Sequence, residues 1–79
     1  MEFYEALHRV MTTTTLKIKR SKWGNDIYVS KKFDRVSKSY VLMINQDMTV
    51  LNTGDRMTTS MIYLPTSGDL TANDWEIVQ

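Results

Sequence analysis

The chain has 79 residues, no cysteine and one histidine, which argues for a single domain (1–79) without disulfides or a thiolate metal site. Its hydrophobic content of 42% is that of a folded protein, its formal net charge is only +1, and no apolar run nears the roughly 18 residues of a membrane span. The opening MEFYEALHRV lacks the basic start and apolar core of a signal peptide, so a cytoplasmic location and no membrane partner are expected.

The spacing of Phe3, Leu7, Val10 and Met11 predicts a first helix of about ten residues ending near Met11. Glu5 and Arg9 lie one turn apart on its polar side. The β-branched run Thr12 to Thr15 disfavours helix, so a strand is expected from near Thr14. Leu16 and Ile18 alternate with Lys17 and Lys19 along it, and Trp23 ends it. Gly24-Asn25-Asp26 reads as a turn and Ile27-Tyr28-Val29 as the returning strand. Residues 31–39 (KKFDRVSKS) show no clean period and read as a loop, anchored by Phe33 or Val36. Tyr40 to Ile44 is continuously apolar, which predicts a strand buried on both faces, one of them against another subunit. Thr49-Val50-Leu51 reads as a short strand, and Asn52 to Asp55 as a turn. Thr58 to Leu64 reads as a strand stopped by Pro65. Thr66 or Ser67 can cap a short helical turn, and Glu76-Ile77-Val78 closes the chain as a strand. The expected fold is α+β: an N-terminal helix, then a four- to five-stranded antiparallel sheet with a short helical turn before the last strand.

Chemistry on a substrate finds little support. The one histidine, His8, lies on the polar side of the first helix, with no nucleophile in evident partnership. No phosphate-binding glycine loop exists, and Asp69 and Asp74, a close pair of carboxylates late in the chain, serve equally as helix caps. The chain therefore reads as a binding protein and not an enzyme, with neither cofactor nor metal.

Residues 17–38 hold eight of the ten lysines and arginines against two aspartates. This is either a field that gathers an anionic ligand or a solvated face of strand residues. Trp23 follows the basic run and sits between Lys22 and Gly24, outside any regular apolar pattern, which suits a partly exposed stacking ring. Trp75, with Ile77 continuing its strand face, reads as a core anchor. Tyr63 offers a second aromatic just ahead of the small polar donors Thr66 and Ser67.

Four pieces in order resemble one family. Phe3-Tyr4-Glu5-Ala6-Leu7 is similar to its Phe-x-Glu-Ala-Leu opening, and Arg20-Ser21-Lys22-Trp23-Gly24-Asn25 to its basic-x-x-Trp element. Tyr40-Val41-Leu42-Met43 resembles its central strand. The ending from Tyr63 to Val78 resembles its Trp-Leu-Pro-Ser-Gln-x-Asp-Leu-Leu-Ala-x-Asp-Trp-Glu-x-Val. The family is the second type of Thoeris anti-defence proteins, found mostly in phages and prophages. The resemblance implies a homotetramer in the host cytoplasm that sequesters a cyclic ADP-ribose isomer, or a related cyclic nucleotide, without degrading it.

Carried over by position, Trp23 stacks on the ligand and Tyr63 stands where the family has its second pocket tryptophan. Asp69 accepts a hydrogen bond from a base. Asn25, Thr66 and Ser67 complete the polar lining, and the segment carrying Arg35 and Lys38 closes over the ligand. Thr66-Ser67 replaces the family's Ser-Gln, so two departures fall where selectivity is set. The alternative is a protein-binding inhibitor of a defence nuclease such as a CRISPR effector, using the basic stretch 17–38. A direct nucleic-acid binder is the third reading and is not expected.

Overall fold

A computed structural model describes residues 1–13 and 15–78. The elements run α1 (Phe3–Thr12), β1 (Lys17–Arg20), β2 (Ile27–Asp34), β3 (Ser39–Thr49), β4 (Arg56–Ile62), α2 (Ser67–Thr71) and β5 (Trp75–Val78). The five strands form one antiparallel sheet in the order β4-β3-β2-β1-β5, which establishes the α+β class.

Register gives the sheet two unlike faces. Ile77, Ile18, Val29, Ile44 and Met61 form one row across all five strands. On that face α1 packs, burying Phe3, Ala6 and Val10 against Ile18, Val29, Tyr63 and Trp75. Ala6 is fully buried, while Leu7 is only partly covered and Met11 is 38% exposed. The stripe is thus rotated from the one the large apolar residues suggested, because a small side chain lets the helix approach the sheet.

The opposite face carries Lys17, Lys19, Tyr28, Ser30, Asn45, Asp47, Thr58, Ser60 and Glu76, and no described helix covers it. Asn45 is nonetheless buried. Its amide nitrogen donates to Ser30 Oγ at 2.9 Å, and its oxygen accepts from Ser60 Oγ at 2.7 Å.

Four expectations change. Residues 31–34 are the second half of β2, residues 35–38 are a tight turn, and Ser39 opens β3, so the loop expected over 31–39 is a hairpin. Asp34 makes the turn: its carboxylate accepts the Val36 N–H at 3.2 Å and the Ser37 hydroxyl at 2.8 Å, and Lys38 takes the left-handed φ of 56°. Those two bonds, the Ser37 one foremost, hold the Asp34 carboxyl below its ordinary pKa. The strand expected at 49–51 does not form, since Thr49 ends β3 and Leu51 opens the turn. Tyr40 to Ile44 is not buried on both faces within the chain; Tyr40 is 52% exposed. The expected strand start near Thr14 lies outside the described residues, and β1 ends at Arg20, before Trp23.

Candidate functional site

Trp23 sits three residues past β1 in a turn that fixes its backbone at both ends. Its N–H donates to the Arg20 carbonyl at 3.0 Å, and its carbonyl accepts Lys19 Nζ at 2.8 Å. Gly24-Asn25-Asp26 turns as expected, but neither Gly24 nor Asn25 has a positive φ, so the turn does not use the left-handed backbone those residues suggested. The half-buried indole lies edge-on to Tyr63, centroids 6.4 Å apart at 80°, and to Trp75, 5.4 Å apart at 79°. Such T-shaped pairs add about 0.5–1.5 kcal/mol each beyond burial. Trp75, 2% exposed, is the core anchor its pattern implied.

Asp69 organises what surrounds this trio. It is 8% exposed, and both carboxylate oxygens are engaged. Oδ2 accepts the Tyr63 hydroxyl at 2.8 Å and the Thr66 N–H at 3.2 Å; Oδ1 accepts Arg20 Nη1 at 3.3 Å. Its main-chain carbonyl accepts Trp75 Nε1 at 3.0 Å. Thr66 returns the favour to α2 by accepting the Asp69 N–H at 3.1 Å, which completes a capping box. Arg20 also donates from Nε to Asp74 Oδ1 at 3.0 Å, and Ser21 Oγ donates to Asp74 Oδ2 at 2.9 Å.

The charges follow from this geometry. Burial alone would raise the Asp69 pKa, but the Tyr63 hydroxyl, the Thr66 amide and Arg20 together outweigh it, and the carboxyl is held below its ordinary value. The Asp74 carboxyl is lowered too, by Arg20 first and Ser21 second. Burial, then the bond to Asp69, pushes the Tyr63 phenol up, so it stays a neutral donor.

Trp23, Tyr63, Thr66 and Asp69 are therefore gathered into one connected unit. Asn25 and Ser67 are exposed at its margin, on the turn after Trp23 and at the first residue of α2. Arg35 and Lys38 are not brought near Trp23 within the chain. They occupy the β2–β3 turn, at the other end of an eight-residue strand that spans roughly 25 Å. Nor do the cations of 17–38 form one basic face. Lys17, Lys19 and Lys32 lie on the open side of the sheet, Arg20 and Lys31 on the helix side. Lys19 and Arg20 are also committed to Glu76 and to Asp69 and Asp74.

On the helix side of the sheet, a cleft of about 270 Å³ opens over β2, β3 and β4, lined by Ile27, Ile44, Gln46, Thr59 and Met61 among others. It is near the small end of the range for ligand pockets, about 300–1,000 Å³. Among the described residues no three metal-ligating side chains converge, and no helix is long and apolar enough to cross a membrane.

Arg20 and Lys19 carry structural weight that sequence reading assigned to a diffuse basic field. The partners of Arg20 lie 49 and 54 residues away, so only the adjacency of Arg20 to the Trp23 element hinted at its role. Residues 1–78 match the profile of a family described as the Thoeris anti-defense 2-like domain. No curated protein matches the chain.

Proposed function

The chain belongs to the Thoeris anti-defense 2-like family, and on that premise we propose that it binds a cyclic nucleotide immune signal and holds it without degrading it. The ligand class is a cyclic ADP-ribose isomer or a related cyclic nucleotide. The site of action is the host cytoplasm during phage infection, where removal of the signal leaves the downstream effector off. The supporting observation is the preset aromatic corner. Trp23 and Tyr63 form a T-shaped pair, half-buried and buried respectively, and Tyr63 is fixed through its hydroxyl by a buried carboxylate.

A sequestering protein must outcompete a sensor, which calls for a dissociation constant near nanomolar, about −12 kcal/mol. Stacking supplies about 1–3 kcal/mol per base. Hydrogen bonds to charged groups add about 1.5–3 kcal/mol each. Those sums suffice only where little is lost to ordering side chains on binding. The Asp69 bonds meet that condition by removing the rotational freedom of Tyr63 in advance. Within one chain Arg35 and Lys38, the cations the resemblance assigns to the ligand, lie at the far end of β2. A pocket that uses them with Trp23 must therefore be shared between subunits, in keeping with a homotetramer.

The test is to incubate the protein with lysate of cells carrying an activated Thoeris system, re-purify it, denature it by heat and analyse the released small molecules by mass spectrometry. An intact cyclic nucleotide in near-stoichiometric amount is expected. Release of a cleaved product would show an enzyme, and absence of any nucleotide would refute the reading.

A further inference from the structure

Strand β4 is an outer edge of the sheet, and every one of its seven residues is exposed. Long edges are normally guarded by lysine, proline or a bulge, because their free amides template pairing with another chain. After Arg56, β4 has none of these charges or breaks: it reads Met57-Thr58-Thr59-Ser60-Met61-Ile62. Met57, Met61 and Ile62 are 50%, 67% and 56% exposed, and Met48, opposite Met57 on β3, is 45% exposed. The other edge, β5, has only four residues and places Glu76 within it.

The sequence of β4 is close to a palindrome about Thr59. Reversed upon itself, it sets Met57 against Met61, Thr58 against Ser60, and Thr59 against its own copy. An isologous contact requires such self-complementarity, since each residue meets its symmetry mate's counterpart.

The hydrogen-bond phase agrees independently. The Tyr63 N–H donates to Leu42, its register partner, at 2.9 Å. In an antiparallel ladder this directs the amides of Met57, Thr59 and Met61 toward β3 and leaves those of Arg56, Thr58, Ser60 and Ile62 facing outward. Pairing about Thr59 brings Thr58 opposite Ser60 and Arg56 opposite Ile62, so outward amides meet outward amides along the whole strand. A centre on a peptide bond would oppose outward to inward groups. Centres on Thr58 or Ser60 keep the phase but shorten the overlap and set methionine against threonine.

We propose that β4 pairs antiparallel with β4 of a second copy, Thr59 facing Thr59, to join two five-stranded sheets into one continuous sheet. The methionines then lie on the helix side as one apolar strip, and Thr58 and Ser60 lie on the polar side. Met61 and Thr59 also line the cleft on the helix side, so the second copy's Met57 extends its rim. The pairing rests on the strand's own sequence and hydrogen-bond phase and stands apart from the ligand reading.

The chain has no cysteine, so a single introduced thiol reports its own neighbourhood. At the two-fold centre the Thr59 pair is non-hydrogen-bonded, with Cα atoms about 4.5 Å apart, inside the range a disulfide spans. Two copies of residue 58, or of residue 60, are diagonal neighbours about 7–8 Å apart, beyond that range. Thr59→Cys, Thr58→Cys, Ser60→Cys and, as a collision control, Leu51→Cys are oxidised under identical conditions and followed on non-reducing gels. Thr59→Cys should cross-link at least about tenfold faster than the other three, as expected of thiols sharing a site.

Faster cross-linking of Thr58→Cys or Ser60→Cys overturns the register, and equal rates for all four overturn the pairing. As a second arm, Thr58→Pro removes an outward N–H that β3 does not use, a change tolerated on an edge strand. It should halve the mass seen in analytical ultracentrifugation while circular dichroism stays unchanged. A folded Thr58→Pro protein of unaltered mass refutes the interface.

Discussion

The Tyr63 hydroxyl donates to Asp69 Oδ2 across 2.8 Å inside the protein, and the same oxygen accepts the Thr66 N–H at 3.2 Å. One carboxylate thus fixes an aromatic side chain and starts a helix. Tyr63→Phe keeps the ring and leaves the carboxylate short of a donor. The expected loss is about 1–3 kcal/mol, the usual cost of orphaning a buried polar group, measured by urea denaturation. A midpoint indistinguishable from wild type would show that water replaces the hydroxyl without cost.

Acid should weaken the fold through the same cluster. Both Asp69 and Asp74 have folded-state pKa values below their ordinary ones. The unfolded chain therefore takes up protons first as pH falls, and stability drops with them. Stability contributed by these carboxyls should be complete above about pH 5 and decline below about pH 4. Arg20→Gln should flatten that acid limb and lower the plateau. Denaturation midpoints between pH 3 and pH 7 with the same slope in both proteins would exclude the Arg20 cluster as its source.

Trp23→Ala should weaken cyclic nucleotide binding at least about tenfold, the loss expected from removing one stacking face, while the oligomer persists. Trp23→Phe should retain part of the affinity because a smaller face remains. Calorimetry with the ligand released from the wild-type protein decides this; unchanged affinity in the alanine variant would move the pocket elsewhere.

Thr66→Ala removes the side chain that accepts the Asp69 N–H. Loss of the cap should cost about 0.5–2 kcal/mol. Thr66→Ser should restore it, since a serine hydroxyl caps as well. Thermal melts of the three proteins give the comparison, and a serine variant as weak as alanine would point to packing of the threonine methyl instead.

Local chemistry made some elements legible in advance. The ten-residue α1 followed from apolar spacing, and the short α2 from Thr66 or Ser67 as a candidate N-cap, of which the structure uses Thr66. Trp75 was legible as core because Ile77 continues its strand. The β2–β3 hairpin was not legible, since Lys31 lies on the helix side among apolar neighbours. Its ammonium reaches the Met11 carbonyl at 2.9 Å and sits 4.8 Å from the Tyr40 ring centre. A long stem with a satisfied tip breaks the two-residue period without breaking the strand.

In the site, Trp23, Tyr63, Thr66 and Asp69 were all named from the sequence and do stand together. The surrounding Arg20 bonds join residues about fifty positions apart, which no local pattern encodes. Arg35 and Lys38 were grouped with Trp23 by the resemblance, but the strand between them holds them apart within one chain.

Trp23 and Trp75 are the only two tryptophans, and they face each other at 5.4 Å and 79°. All indole emission of this protein therefore originates at the candidate site and nowhere else. Two indoles at that separation also couple their excited states, and any indole–indole split in the circular dichroism spectrum can come only from this pair. The fold has in effect placed an unlabelled optical probe at the corner where a ligand would rest. A shift in emission or a change in that split would register occupancy without a dye, a tag or a change of sequence.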